Sequence, residues 1–157
     1  LVRENDFIYL DAGTTTEMMI DHIPSTNAVF VTNGIVHAKK LIAKGLKTYI
    51  IGGLVKPVTE AVIGADAVKK LNFTKSFMGT NGIHMDYGFT TVDIEEAALK
   101  SEAMKRSYVN FVMADHTKFD KMTAVTFAAL TGGSIITDVV LNPKYKDATI
   151  IKEVKGL

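Results

Sequence analysis

The sequence contains no cysteine, only three prolines and no long apolar run. Without cysteine the chain has no disulfide framework, no thiolate nucleophile and no zinc site built on cysteine ligands. No apolar stretch approaches the roughly 18 residues of a membrane span. Charge of one sign is not in excess either, because 18 Lys and Arg stand against 17 Asp and Glu, for a net charge of +1. This balance argues against a domain whose own surface grips DNA or RNA through phosphates.

What remains is the composition of an ordinary globular domain, with 47% hydrophobic and 22% charged residues among 157. A chain of this length buries roughly 68–70% of its unfolded surface and folds without disulfides or metals. No linker or internal repeat divides it, so we expect one cytoplasmic domain over residues 1–157. The first residue is Leu1 rather than Met, which favours a fragment of a longer protein.

Short apolar runs alternate with longer helical stretches along the chain. The runs are continuous and rich in β-branched and aromatic residues, as in strands buried on both faces of a parallel sheet. They lie at 7–10, 29–31, 48–51, 77–78, 109–113, 135–136 and 149–151. Helices are predicted around 18–20, 35–42, 60–71, 94–106 and 122–130. The alternation predicts an α/β fold, a Rossmann-like three-layer domain with a mainly parallel sheet and helices on both faces.

Ligands of such sheets bind outside the carboxyl ends of the strands, and the first strand ends in the most informative loop. It runs into residues 11–16, DAGTTT, just before a predicted helix. A glycine lets the backbone approach a ligand closely, and the amides and hydroxyls that follow suit a phosphate. Thr14 and Glu17 can equally form a capping box, which needs no ligand. The pattern is neither a Walker A loop nor G-x-G-x-x-G, which disfavours nucleoside triphosphates and dinucleotides.

Small polar residues and glycines also follow three later strands. The candidate ligand residues at these strand ends are Thr32, Asn33, Gly79, Asn81, Gly82, Thr90, Asp115 and Lys118. Among them, Asp115 and Lys118 could hold a sugar hydroxyl and a phosphate. Plainer explanations exist, since Asn33-Gly34 is a turn signal and a lone lysine is usually a solvated surface residue. The repetition at several strand ends favours a binding site.

The helix that begins near Asp93 places Glu96 and Lys100 four residues apart. That spacing is typical of a surface ion pair worth a few tenths of a kcal/mol. The alternative is that Glu96 faces the pocket as a hydroxyl ligand or general base. The four histidines show no metal-ligand spacing, so the sequence predicts no metal and no cofactor.

In their order along the chain, these motifs resemble the C-terminal effector-sensing domain of the DeoR family of bacterial transcriptional repressors. The matching stretches span roughly residues 6–138 and read DAGTTT, VTNG, IIGG, FMGTNGI, GFTT with EEAALK, ADHTKF and IITD. The resemblance implies a fold similar to that of ribose-5-phosphate isomerase and an N-terminal winged helix-turn-helix domain outside this chain. It also implies a homo-oligomer that a phosphorylated sugar releases from operator DNA. Fructose 1-phosphate and tagatose 6-phosphate are plausible effectors that the sequence does not separate.

The resemblance also implies which residues contact the effector. The phosphate-proximal loop would comprise Asp11, Gly13, Thr14, Thr15 and Thr16, and the remaining contacts would come from Thr32, Asn33, Gly79, Asn81, Gly82, Thr90, Glu96, Lys100, Asp115 and Lys118. Isomerase relatives carry an acidic D-G-A-D-E cluster where this chain has residues 79–83, GTNGI. Without those carboxylates we expect binding without turnover and no catalytic residues. An active sugar-phosphate isomerase that depends on Glu96 or Lys100 is the alternative, and a nucleotide-binding module is a third possibility.

Overall fold

Seven strands form the central sheet of the protein, which a computed structural model describes over residues 1–156. They are β1 (Phe7–Leu10), β2 (Val29–Thr32), β3 (Lys47–Ile50), β6 (Phe73–Gly79), β9 (Ser107–Met113), β11 (Ser134–Thr137) and β12 (Ile151–Glu153). Their order is β12-β11-β9-β6-β1-β2-β3, and every neighbouring pair is parallel. Each predicted apolar run overlaps one of these strands, so the predicted parallel sheet is confirmed.

Four α-helices accompany the sheet: α1 (Thr14–Ile20), α2 (Ile35–Ala43), α3 (Ile94–Lys105) and α4 (Lys144–Ala148). Two separate apolar cores form. In one, Ile20 of α1 and Leu41 of α2 pack with Phe30 of β2. In the other, Leu99 of α3 packs with Met78 of β6. Two cores on opposite faces of one sheet give the predicted three-layer arrangement. No helix within residues 1–156 is long and apolar enough to cross a membrane.

Five shorter strands lie outside the central sheet: β4 (Leu54–Val55), β5 (Val62–Ile63), β7 (Gly82–His84), β8 (Gly88–Thr91) and β10 (Val125–Ala128). β4 and β5 form an antiparallel hairpin, and β10-β8-β7 form a small antiparallel sheet. The helices predicted over 60–71 and 122–130 are therefore wrong. The first segment holds β5 and a 3₁₀ turn after Gly64, and the second holds β10, whose Phe127 stacks on Phe89 at 6.2 Å.

The apolar spacing of α2 predicts that Ile42 faces the core, and that of α3 predicts the same of Ile94. Ile42 and Ile94, both expected to face the core, are 63% and 75% exposed. α2 buries His37 instead, and α3 buries Lys100. Both polar side chains find partners beneath their helices, beside apolar residues that are buried on the same faces.

The strand order creates a crevice where the binding site is expected. From β1 the chain proceeds to β2 and β3 on one side, and later to β6, β9 and β11 on the other. Ligands of open α/β sheets bind at such a switch point, outside the carboxyl ends of the strands. In this protein the switch point lies between β1 and β6, directly before Asp11 and beside Gly79.

Tyr9 of β1 offers a test of the core next to this crevice. Its side chain is fully buried, and its hydroxyl has no hydrogen-bond partner within residues 1–156. Burial, together with the nearby Asp11 carboxylate, raises the pKa of Tyr9 well above its ordinary value. An unsatisfied buried hydroxyl costs about 1–3 kcal/mol. Tyr9→Phe should therefore leave the free energy of unfolding in urea unchanged or raise it by about 1 kcal/mol. A loss of stability would mean that the hydroxyl has a partner.

Candidate functional site

A cavity of about 380 Å³ lies at the carboxyl ends of β1, β2 and β6. This volume is within the range of small-molecule sites. Its wall combines the loops that follow these strands with residues of α3, of the β4–β5 hairpin and of the turn after β9. The sequence-predicted residues that line it are Asp11, Gly13, Thr14, Thr15, Asn33, Gly79, Asn81, Glu96, Lys100 and Lys118.

The loop after β1 has the form expected of a ligand-binding turn. Gly13 adopts a φ of 154°, a conformation that favours glycine, and α1 begins at the next residue without a side-chain cap. Glu17 forms an ion pair with Lys40 at 2.9 Å, so the alternative capping box with Thr14 does not form. The first amides of a helix have no acceptor within it. Thr14 and Thr15 lie at this terminus and face the cavity.

A network from β2 and α2 holds this loop in place. Asn33 accepts a hydrogen bond from the Ala12 amide at 2.8 Å, and its Nδ2 donates to the Val62 carbonyl at 3.2 Å. The Gly13 carbonyl accepts from Nε2 of His37 at 2.9 Å, so the ring carries its proton on Nε2. Asn33 thus lines the cavity while its side chain fixes two neighbouring segments.

A buried ion pair joins the two sides of the switch point. Lys100 and Asp11 are 7% and 2% exposed, and the ammonium donates to the Asp11 carboxylate. Lys100 also donates to the Gly79 carbonyl at 3.0 Å, and the Gly79 amide donates to Asp11 at 3.0 Å. The Glu96–Lys100 surface pair that the helical spacing favours is therefore wrong. Glu96 instead lines the cavity, 3.6 Å from the ammonium of Lys56.

Two lysines line the cavity, Lys100 and Lys118. Lys100 is paired with Asp11, whereas Lys118 forms no ion pair with a carboxylate within residues 1–156. Lys118 is half-buried and belongs to the turn that follows β9. Asp115 caps that turn by accepting from the Thr117 amide at 2.8 Å, and Asp138 accepts from the His116 amide at 2.7 Å. The hydrogen bonds from Thr117 lower the pKa of Asp115. These two carboxylates hold the amides of the two residues directly before Lys118, which positions the lysine.

Five predicted contact residues do not line the cavity and have structural hydrogen bonds or packing contacts instead: Thr16, Thr32, Gly82, Thr90 and Asp115. Thr16 donates to the Asp11 carbonyl at 2.6 Å, and Thr32 accepts from the Gly34 amide at 3.1 Å. Thr90 accepts from the Thr123 amide at 3.0 Å, and a Cβ on Gly82 would come within 2.5 Å of the Lys121 carbonyl. These residues support the loops, and a direct contact of any of them with a ligand stays a prediction.

Sequence reasoning missed part of the cavity wall. The missed lining residues are Ala12, Glu17, Gly34, Ile35, Val36, His37, Val58, Thr59, Ala61, Thr80, Thr91 and Met113. Three of them belong to the β4–β5 segment, of which only the part from residue 60 onward carried a prediction, as helix. The glycine pair Gly52-Gly53 before that segment was the available signal, because paired glycines mark turns. No group of three or more His, Cys, Asp or Glu within residues 1–156 could hold a metal ion.

The buried imidazole of His37 makes stability depend on pH. Burial lowers the pKa of His37 below its ordinary value of 6.5, and Nδ1 has no partner within residues 1–156. The unfolded chain therefore takes up a proton that the folded protein resists as the pH falls below 6.5. We expect the free energy of unfolding to drop between about pH 7.5 and about pH 5.5, and to drop less in His37→Gln. Urea denaturation at both pH values measures this, and equal drops would contradict it.

Comparison with known protein families decides the classification. The model of the DeoR C terminal sensor domain matches residues 1–139. The chain belongs to this family. The expected resemblance is thus confirmed.

Curated relatives are transcriptional regulators. The chain is 43% identical to the HTH-type transcriptional regulator FruR of Bacillus subtilis, covering 99% of this chain and 64% of that protein. It is 27% identical to the lactose phosphotransferase system repressor of Staphylococcus aureus, covering 99% of this chain and 62% of that protein. The chain thus spans less than two thirds of the length of these relatives.

Solved structures support the fold of this family member. Ribose 5-phosphate isomerase from Plasmodium falciparum superposes with a TM-score of 0.54 at 14% identity, covering 75% of this chain and 46% of that one. The isomerase from Methanocaldococcus jannaschii gives 0.51 at 11% identity, covering 76% and 48%. At such identities the likeness concerns the fold alone, and it confirms the predicted isomerase-like architecture.

Proposed function

We propose that this domain is the ligand-sensing part of a repressor of sugar metabolism, and that its cavity binds a phosphorylated sugar. The observation that carries the proposal is the cavity at the switch point. Its wall contains both Lys118, which has no carboxylate partner within residues 1–156, and the first residues of α1. Helix amides and an ammonium group are suited to phosphate, and the amide and carboxylate side chains beside them are suited to hydroxyl groups. The name of the lactose phosphotransferase system repressor supports a sugar as the effector class.

Five of the lining residues then have a chemical role toward the ligand. Lys118, with the hydroxyls and amides of Thr14 and Thr15, would hold the phosphate. Asn81 and Glu96 would accept hydrogen bonds from the sugar hydroxyls. The other predicted contacts that line the cavity would complete its wall, and those that do not line it would support the loops. Fructose 1-phosphate and tagatose 6-phosphate stay the candidate effectors.

The full-length protein would have two domains, one that senses the effector and one that binds DNA. Its relatives are longer than this chain, and the proposed remainder is an N-terminal winged helix-turn-helix domain that contacts operator DNA. The net charge of +1 fits a sensor that does not itself bind nucleic acid. We further propose that the repressor is a cytoplasmic homo-oligomer and that effector binding releases it from DNA.

We propose that the domain is not an enzyme, although an isomerase remains the alternative to test. Moving a proton between adjacent sugar carbons needs a general base in the cavity, and a carboxylate is one of the side chains that can serve. Asp11 is locked to Lys100, and Glu96 lies beside Lys56. The third carboxylate of the cavity, Glu17, is paired with Lys40. All three therefore have charged partners, which favours binding without turnover.

A thermal-shift panel of phosphorylated and unphosphorylated sugars tests this function. A phosphorylated effector at 100 times its dissociation constant should stabilise the domain by about 2.7 kcal/mol. Its unphosphorylated counterpart should give no shift. Equal shifts with both, or no shift with any phosphate, would count against the proposal. Aldose–ketose interconversion in a coupled assay at micromolar protein would favour the isomerase instead.

A further inference from the structure

The segment between Gly52 and Gly64 contributes one wall of the cavity through Val58, Thr59 and Ala61. It contains the β4–β5 hairpin and has glycine at both ends. Gly53 has a φ of 153°, and a Cβ there would lie 2.2 Å from the Ile63 carbonyl. The glycine allows the two arms of the hairpin to meet closely at their base.

The two arms of this hairpin are held unequally. The returning arm is buried from Ala61 to Ile63, and the Val62 amide donates to the Asn33 carbonyl at 2.7 Å. The outgoing arm, residues 54–59, is largely solvated, and its apolar Val58 is 95% exposed. An arm with little buried surface opens at low free-energy cost.

One charged side chain links the outgoing arm to α3. Nζ of Lys56 lies 3.5 Å from Asp93 and 3.6 Å from Glu96. Asp93 caps α3 by accepting from the Glu96 amide at 2.9 Å. The same helix carries Lys100, so Lys56 connects the arm to a helix that forms another part of the cavity wall.

The charges around the cavity make this lysine important for an anion. The charged residues that line the cavity are Asp11, Glu17, Glu96, Lys100 and Lys118, a set with an excess of negative charge. Lys40 compensates Glu17 from outside the lining. Lys56 compensates Glu96 and the neighbouring Asp93, so that the carboxylates at the site are balanced by lysines. Without it, Glu96 would oppose the charge of Lys118, and a phosphate would be attracted less.

We propose that Lys56 is a specificity-determining residue for phosphorylated ligands, and that its ion pairs with Asp93 and Glu96 latch the arm 54–59 as a lid beside the cavity. This inference rests on the proposed function, because it assigns an anion to the same site. It adds a residue outside the cavity lining and a mobile element to that site.

The test compares Lys56→Gln with two controls. Lys56→Arg keeps the charge, and Lys152→Gln removes the same charge from an exposed position on β12, at the far edge of the sheet. Affinity is measured by calorimetry with inorganic phosphate and with fructose 1-phosphate. Lid mobility is measured by hydrogen exchange of residues 54–59 without ligand. We expect about fivefold weaker binding and faster exchange in Lys56→Gln, and near-wild-type values in both controls.

The outcomes separate the inference from the function on which it rests. Equal affinity of wild type and Lys56→Gln overturns the specificity role and leaves the proposed function standing. Unchanged exchange of residues 54–59 overturns the latch. If the wild-type domain binds neither phosphate nor any phosphorylated sugar, the proposed function fails and the specificity role fails with it, whereas the hydrogen-exchange comparison still decides the latch.

Discussion

Replacing Lys100 by Met is expected to destabilise the domain by about 3–5 kcal/mol, because it leaves the Asp11 carboxylate buried without its counter-charge. Asp11 is 2% exposed. The hydrogen bond from the Gly79 amide is retained in this variant. One amide does not replace an ammonium group as the partner of a buried carboxylate. Urea denaturation gives the free energy of unfolding of both proteins.

Two variants separate the ion pair from the loss of a lysine. Lys105→Met changes an exposed residue of the same helix and should alter stability by no more than about 0.5 kcal/mol. The double variant Asp11→Asn/Lys100→Met removes both charges and should recover a large part of the loss. A double variant that is less stable than Lys100→Met would contradict the ion-pair explanation.

Replacing Lys118 by Gln should weaken the binding of a phosphorylated sugar by about 10- to 100-fold, because a hydrogen bond to a charged group is worth about 1.5–3 kcal/mol. Stability should change little, since the Lys118 ammonium has no carboxylate partner within residues 1–156. Calorimetric titration with the best phosphorylated sugar of the panel measures the affinity.

Lys121→Gln is the matched control for this variant. Lys121 is exposed, lies three residues farther along the chain and does not line the cavity. Its replacement removes the same charge and should leave the affinity near that of the wild type. Wild-type affinity in Lys118→Gln would show that the phosphate binds elsewhere.

The central sheet could be predicted from the sequence because each of its strands is marked by its own consecutive residues. A strand buried on both faces reads as a continuous apolar run, as at Phe7–Leu10 or Ser107–Met113. The rule that ligands bind at the carboxyl ends of parallel strands then placed Asp11, Gly79 and Lys118 near one another. The structure brings these three residues to one cavity.

The partner of Lys100 could not be predicted because Asp11 lies 89 residues away in the sequence. Helical spacing offered only Glu96 as a partner. The position of Lys100 inside the fold also explains why the apolar stripe of α3 was misplaced. The sequence alone does not distinguish a buried, paired lysine from a solvated one.

The hairpin and the small antiparallel sheet were missed for a different reason. β5 has two residues and β10 has four. Neither strand has the continuous apolar run of Phe7–Leu10, and both are too short for alternation to distinguish them from a helical segment. Their identity depends on pairing with β4 and β8, which is a tertiary property. The helix and strand patterns therefore missed this wall of the cavity, and only the glycine pair Gly52-Gly53 marked a turn before it.

Binding of a phosphorylated sugar in the cavity is tested most directly by nuclear magnetic resonance titration of the isotope-labelled domain. Fructose 1-phosphate, tagatose 6-phosphate and their unphosphorylated counterparts are added in parallel. The predicted result is that only a phosphorylated sugar, and not its unphosphorylated counterpart, shifts the amide signals of Gly13 to Thr15, Asn81 and Lys118. Shifts confined to other parts of the chain, or equal shifts with the unphosphorylated sugars, would contradict the proposed site.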